Sequence, residues 1–267
     1  MKKIGFIGCG NMGGAIMGGI LQSGLFTADE MIAADAFQAA ADGIQAKFGI
    51  EAGCDNKAVA GAAEIILLSI KPQFYQSVIE EIRGLITDSQ IIVTIAPGWT
   101  LARLTDAFAK PVKLVRCMPN TPALVRTGVT AVCQNDLVSP DELSRVVRVL
   151  ESFSIVEPLR ENLFDAVTAL SGSSPAYVYM MIEAMADAAV LGGIPRSQAY
   201  RMAAQAVLGS AKMVLETGRH PGDLKDMVCS PAGTTIEAVR VLEERGFRSS
   251  LSEAMAACAD KSAAMQK

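Results

Sequence analysis

Histidine is almost absent from this chain of 267 residues: His220 stands alone. A single imidazole cannot build a multi-histidine zinc centre, and it leaves one side chain of near-neutral ordinary pKa for acid–base work. No metal site is expected. A basic excess is also lacking. The 24 Lys and Arg against 28 Asp and Glu give a net charge of −4, and neither half of the chain carries a basic surface suited to phosphate backbones. Nucleic acid is therefore not an expected partner. The six cysteines, Cys9, Cys54, Cys117, Cys133, Cys229 and Cys258, include no C-x-x-C pair, so reduced and mostly buried thiols are expected. The apolar run after Met1-Lys2-Lys3 is broken by Gly5, Gly8 and Gly10 and has no processing site, which points to a cytoplasmic address. The longest apolar stretch, residues 176–194, is interrupted by Glu183 and Asp187, so no membrane span is expected.

What is present is core-forming material. Hydrophobic residues make up 51% and charged residues 19%, a globular balance, and the length suits two modest domains. Short apolar runs at 2–8, 31–35, 64–70, 90–95, 112–117, 128–133 and 153–157 read as strands. Helical periodicity fills 11–23, 37–48, 56–61, 73–84 and 140–152. Alternation of this kind predicts an α/β domain over residues 1–160, with a parallel sheet covered on both faces. Residues 161–267 read as all-helical, with segments at 163–170, 175–192, 196–217, 234–245 and 249–264. Several of these are apolar on more than one face, which predicts subunit association.

Gly8-Cys9-Gly10-Asn11-Met12-Gly13 is G-x-G-x-x-G between the first strand and the first helix. The first glycine permits a tight turn, the second lets backbone approach a pyrophosphate, and the third lets helix pack on strand. This predicts a Rossmann-type doubly wound fold that binds a dinucleotide. Asp35 stands roughly 20 residues on, where an acidic side chain bonds the adenosine 2′-hydroxyl. It would repel a 2′-phosphate, and residues 36–40 offer no Arg or Lys, so the lean is to NADH over NADPH. Two further loops leave strand carboxyl ends, Ser69-Ile70-Lys71-Pro72 and Ile95-Ala96-Pro97-Gly98. Lys71 is a lone cation there, suited to the cofactor or an anionic substrate. Asn56 reads either as an N-cap or as a ligand contact. In the helical half, Ser171-Gly172-Ser173-Ser174-Pro175 and Ser230-Pro231-Ala232-Gly233-Thr234-Thr235 each present hydroxyls and helix N-terminal amides, by capping logic or as anion sites. His220 reads as part of a surface turn.

GFIGCGNMG (5–13), SIKP (69–72), RCMPNTPALV (116–125), LSGSSPAYVYMMIEAMADAAVLGG (170–193) and HPGDLKDMVCSPAGTTIEAVRVLEERGFR (220–248) together resemble pyrroline-5-carboxylate reductase over essentially the full chain. The resemblance implies reduction of 1-pyrroline-5-carboxylate to L-proline with NADH or NADPH, the last step of proline biosynthesis. It implies an N-terminal Rossmann-type domain and a C-terminal all-helical dimerisation domain, assembled as dimers and larger rings. It places Ile7 to Met12 at the pyrophosphate and Asp35 and Asn56 at the adenosine ribose. Ser69 to Pro72 and Ile95 to Pro97 then lie along the cofactor path. Glu161, Gly233, Thr234 and Thr235 take the substrate, with Thr235 facing the ring nitrogen. Ser173 lies near the nicotinamide and, with Thr235 and Lys71, makes up the catalytic candidates.

The chain departs from the family pattern at Asp35, at Ala232 where S-P-G-G-T-T is common, at Ala96-Pro97-Gly98 where A-A-G is common, and at Met227. Two alternatives are a β-hydroxyacid-type dehydrogenase, which needs a lysine after the serine-rich turn that this chain lacks, and a non-catalytic nicotinamide-binding sensor.

Overall fold

A computed structural model describes residues 1–265. Its strands are β1 (Lys2–Ile7), β2 (Met31–Ala34), β3 (Glu51–Gly53), β4 (Ala63–Leu68), β5 (Ile91–Thr94), β6 (Lys113–Met118), β7 (Gly128–Gln134) and β8 (Ser154–Pro158). They form one eight-stranded sheet in the order β3-β2-β1-β4-β5-β6-β7-β8. All neighbours pair parallel except β6 and β7. That exception differs from the all-parallel expectation. Only residues 119–127 join the two strands, which is too short for the crossover that a parallel pair needs.

The helices beside the sheet are α1 (Asn11–Ser23), α2 (Gln38–Phe48), α3 (Asn56–Ala62), α4 (Tyr75–Ile82), α5 (Leu101–Phe108), α6 (Pro140–Glu151) and α7 (Phe164–Val167). Strand side chains alternate between two cores. Ile4, Phe6, Ile65, Leu67, Ile91 and Val93 pack with Ile16, Ile20 and Leu150 on one face. Ile66, Leu68 and Ile92 pack with Tyr75, Ile79, Trp99 and Leu104 on the other. Burial on both faces is why these strands read as unbroken apolar runs. Three elements were not foreseen in the sequence: β3, α5, and a helix at residues 221–228.

The remaining helices are α8 (Ser174–Leu191), α9 (Arg196–Thr217), α10 (Pro221–Val228), α11 (Thr234–Glu244) and α12 (Phe247–Ala264). The chain forms two compact units. Among the described residues, one comprises 1–173 together with 258–265, and the other comprises Ser174–Ala257. The first therefore holds residues 161–173, which the sequence reading assigned to the helical half. Within 174–257 only Ala186, Ala199 and Ala203 are buried, whereas Leu191 is 92% exposed, Leu215 75% and Met180 69%. No helix among the described residues is long and apolar enough to cross a membrane.

Candidate functional site

The glycine loop joins β1 to α1. Gly8 has φ of 109°, a region L side chains rarely adopt, and a Cβ there would meet the Ser69 carbonyl oxygen at 2.6 Å. At Gly13 a Cβ would collide with the Gly8 carbonyl oxygen and lie 2.8 Å from Ser69 Oγ. Gly10 is different: nothing lies within 4 Å of a Cβ built there. As N-cap of α1 it also supplies no side chain to the first-turn amides. The loop therefore combines two glycines demanded by packing with one that leaves open space in front of uncapped amides, a cradle that fits a pyrophosphate. A cavity of about 380 Å³ lined in part by Cys9, Gly10 and Asn11 adjoins it.

Asp35 follows directly on β2 and braces this loop. Its Oδ2 accepts from the Cys9 amide at 2.8 Å and its Oδ1 from the Phe37 amide at 2.9 Å. Burial, reinforced by the Asp35 carboxylate, raises the Cys9 thiol to about 12, so at neutral pH it is a filler and not a nucleophile. All six cysteines are free thiols, with Cys9, Cys117 and Cys133 buried and Cys54 exposed. Ile7 is buried and its carbonyl accepts from the Ser69 amide at 2.8 Å. Ser69 Oγ donates to the Gly8 carbonyl at 2.7 Å, so this hydroxyl shapes the turn. Asn56 is the first residue of α3 and not its cap. Asp55 caps the helix by accepting from the Lys57 amide, and Asn56 Nδ2 donates to Glu81 Oε2 at 2.8 Å.

The two other loops leave the carboxyl ends of adjacent strands, β4 and β5, whose last paired residues are Leu68 and Thr94. Lys71 is exposed and forms no ion pair among the described residues. Ala96 is buried, and Ile95 and Pro97 are partly so. Glu161 is tied to the start of α5: its Oε1 accepts from the Leu101 amide at 2.7 Å and from Arg116 Nη1 at 2.8 Å. Arg116 is 2% exposed, lies over the Phe164 ring, and keeps an unpartnered Nε. Ser173 ends the π-turn at Thr168–Gly172, where its Oγ accepts from the Cys258 thiol at 3.2 Å.

In the helical unit, the residues before α11 form a tight turn closed by the Gly233 amide on the Ser230 carbonyl at 3.0 Å. A Cβ on Gly233 would strike Ser230 Oγ and crowd the Ser230 carbonyl, so a side chain there would require Ser230 to move. Gly233 is the N-cap of α11 with no side-chain cap, and Thr234 and Thr235 form the first turn. These open amides and hydroxyls suit a carboxylate. Ala232 holds a φ of 55°, the left-handed conformation that glycine adopts at no steric cost. His220 caps α10, accepting from the Gly222 amide at 3.0 Å.

Residues 161–265 match the family model "Pyrroline-5-carboxylate reductase dimerisation", and residues 3–98 match "NADP oxidoreductase coenzyme F420-dependent". The pyrroline-5-carboxylate reductase of Escherichia coli K12 is 51% identical over 100% of this chain and 99% of its own length. That of Methanosarcina acetivorans is 40% identical over 100% and 98%. The chain belongs to the pyrroline-5-carboxylate reductase family. A solved pyrroline-5-carboxylate reductase from Coxiella burnetii superposes with a TM-score of 0.93 at 30% identity, covering 100% of this chain and 99% of that one. The Plasmodium falciparum enzyme with NADP bound superposes at 0.90, with 29% identity and coverage of 100% and 98%. Membership makes the helical half a self-association element, which accounts for the exposed apolar helices of residues 174–257, and gives the protein a nicotinamide cofactor.

Three features of this chain are not visible in its sequence. Arg116 stands in the strand at 112–117 and opens the RCMPNTPALV motif, but its burial depends on a partner 45 positions away. Asn120 is a buried peg whose side chain donates to the Ser171 carbonyl and accepts from the Val129 amide. Its place between Pro119 and Pro122 was the available signal. Tyr75 and Trp99 carry no sequence pattern of their own, and their polar atoms are engaged beneath the two strand-end loops.

Proposed function

We propose that this protein reduces 1-pyrroline-5-carboxylate to L-proline, the closing step of proline biosynthesis, in the cytoplasm. Full-length identity of 51% to a pyrroline-5-carboxylate reductase carries this reading. A bound nicotinamide supplies a hydride, which the electrophilic C5 of a protonated cyclic imine accepts. The chain's own tasks are binding and orientation. The glycine loop from Ile7 to Gly13 holds the pyrophosphate through uncapped amides. Ser69, Ile70, Lys71 and Pro72, with Ile95, Ala96 and Pro97, line the path to the nicotinamide. The amides around Gly233 and Thr234 anchor the substrate carboxylate, and the Thr235 hydroxyl orients the ring nitrogen. Ser173 and Lys71 assist at the reacting end, and Glu161 reaches the substrate through Oε2, since Oε1 is already engaged. Residues 1–160 then serve the cofactor and residues 161–267 serve substrate and assembly, with dimers joining into larger rings.

Asp35 supports a preference for NADH. Its carboxylate is fixed by two amides. A unit charge about 5 Å from a 2′-phosphate is worth roughly 3 kcal/mol of repulsion at an effective dielectric near 20, which solvent and salt reduce to about tenfold in kcat/KM. Asn56 adds a polar group on the ribose side.

The test follows loss of NADH absorbance on addition of the imine, in parallel with NADPH. Turnover with a preference for NADH of about tenfold is expected. Absence of imine-dependent oxidation would overturn the assignment, and equal or better efficiency with NADPH would overturn the Asp35 argument. Thr235→Ala should lower kcat or raise KM for the imine by about fivefold or more, as loss of an orienting hydrogen bond requires.

A further inference from the structure

The β4–β5 ladder ends at the pair Leu68–Thr94. Beyond it the two strand-end loops have no backbone pairing to each other, yet side chains continue the connection. Tyr75, the first residue of α4 and fully buried, donates its hydroxyl to the Leu68 carbonyl at 2.7 Å. The same oxygen accepts from Thr94 Oγ1 at 2.8 Å, and Thr94 Oγ1 in turn accepts from the Ala96 amide at 3.4 Å. One phenol thus joins the last paired residue of β4 to the last paired residue of β5. Trp99, the one tryptophan of the chain, is 2% exposed and donates its indole N–H to the Pro72 carbonyl at 3.0 Å. Its ring stacks on Tyr75 with centroids 5.0 Å apart, and Arg103 lies over it at 4.1 Å.

We infer that Tyr75 and Trp99 are positioning residues for the nicotinamide: as a pair they fix the spacing between loops 69–72 and 95–98. This rests on the proposal above that these loops line the cofactor path. The geometry favours it over simple core filling. A core filler needs only apolar contact, whereas here the Tyr75 hydroxyl bridges the Leu68 carbonyl and the Thr94 hydroxyl of the neighbouring strand, and the Trp99 indole N–H is spent on the Pro72 carbonyl of the opposite loop. Ligands of such sheets bind beyond the carboxyl ends of the strands. Side-chain bonds there set the spacing of the two loops, and near-ångström placement of reacting groups governs rate.

The test uses the full-length protein and the variants Trp99→Phe, Tyr75→Phe and Thr94→Val. Each keeps most of the buried shape and removes one side of the cross-link. Two quantities are read together: the Kd for NADH from nicotinamide fluorescence without imine, and the thermal midpoint. Positioning predicts that Kd and KM for NADH rise about fivefold or more, the worth of a lost buried hydrogen bond, while KM for the imine stays within about twofold of the parent. Parental NADH affinity in variants that have merely lost thermal stability would overturn the inference. If Tyr75→Phe does not fold, Thr94→Val and Trp99→Phe decide by the same criterion. The proposed reaction fails separately: a parent that binds NADH but does not oxidise it with imine refutes the substrate assignment, while the variant affinities still judge the cross-link.

Discussion

Removing the Glu161 carboxylate should unfold the protein more readily before it changes the chemistry. In Glu161→Ala, Arg116, whose side chain is 2% exposed, loses its ionic partner, and the Leu101 amide loses its acceptor. Stripping one member from a buried pair costs about 3–5 kcal/mol. Because the Glu161 side chain is 29% exposed, the lower end of that range applies, about 3 kcal/mol. The orphaned amide at the start of α5 adds about 1 kcal/mol. A loss near 4 kcal/mol is a large part of a typical 5–15 kcal/mol stability and corresponds to a thermal midpoint lower by about 10 °C. Urea unfolding followed by far-UV circular dichroism, at one fixed protein concentration, measures it. The double variant Arg116→Met with Glu161→Leu should recover most of the loss, since an apolar pair of similar volume needs no desolvation. The reasoning is refuted if Glu161→Ala stays within about 0.5 kcal/mol of the parent, the range expected of an ordinary surface change. A raised KM for the imine without a stability change would instead make Glu161 a substrate contact alone.

Gly13→Ala should abolish measurable NADH affinity, because its methyl group meets the Gly8 carbonyl and pushes α1 away from the loop it caps; unchanged titration calorimetry would contradict this. Acid stability should depend on Glu64, whose carboxyl is held below its ordinary 4.5 by the Lys3 hydrogen bond first and by Arg145 as well. A carboxyl lowered in the folded state adds stability that is full above 4.5 and disappears as pH falls through its folded value. Glu64→Gln should therefore flatten the acid limb of stability against pH, and identical limbs would remove Glu64 as a cause.

The sequence displayed those features that depend on neighbours along the chain. The β1 turn and α1 were legible because apolar spacing changes from strand to helix around three glycines. The sheet strands were legible because burial on both faces leaves each as an apolar run. What escaped was set by short or distant relations. β3 is three residues long at the sheet edge, with Glu51 exposed. α5 carries polar Arg103, Thr105 and Asp106 and follows Pro97 and Gly98, so the local text reads as loop even though Thr100 caps it. The direction of β7 is fixed by the length of its connection and not by its residues. The Glu161–Arg116 pair and the Tyr75–Thr94 contact join positions far apart in sequence, and neither partner announces the other.

A helical unit with three buried alanines has almost no interior of its own. For such a segment, folding and assembly are one event, so the free energy holding α8 and α9 in place contains a concentration. Dilution then acts as a denaturant. On dilution below the dissociation constant, residues 174–257 should lose helical circular dichroism while the sheet, with its two packed cores, persists.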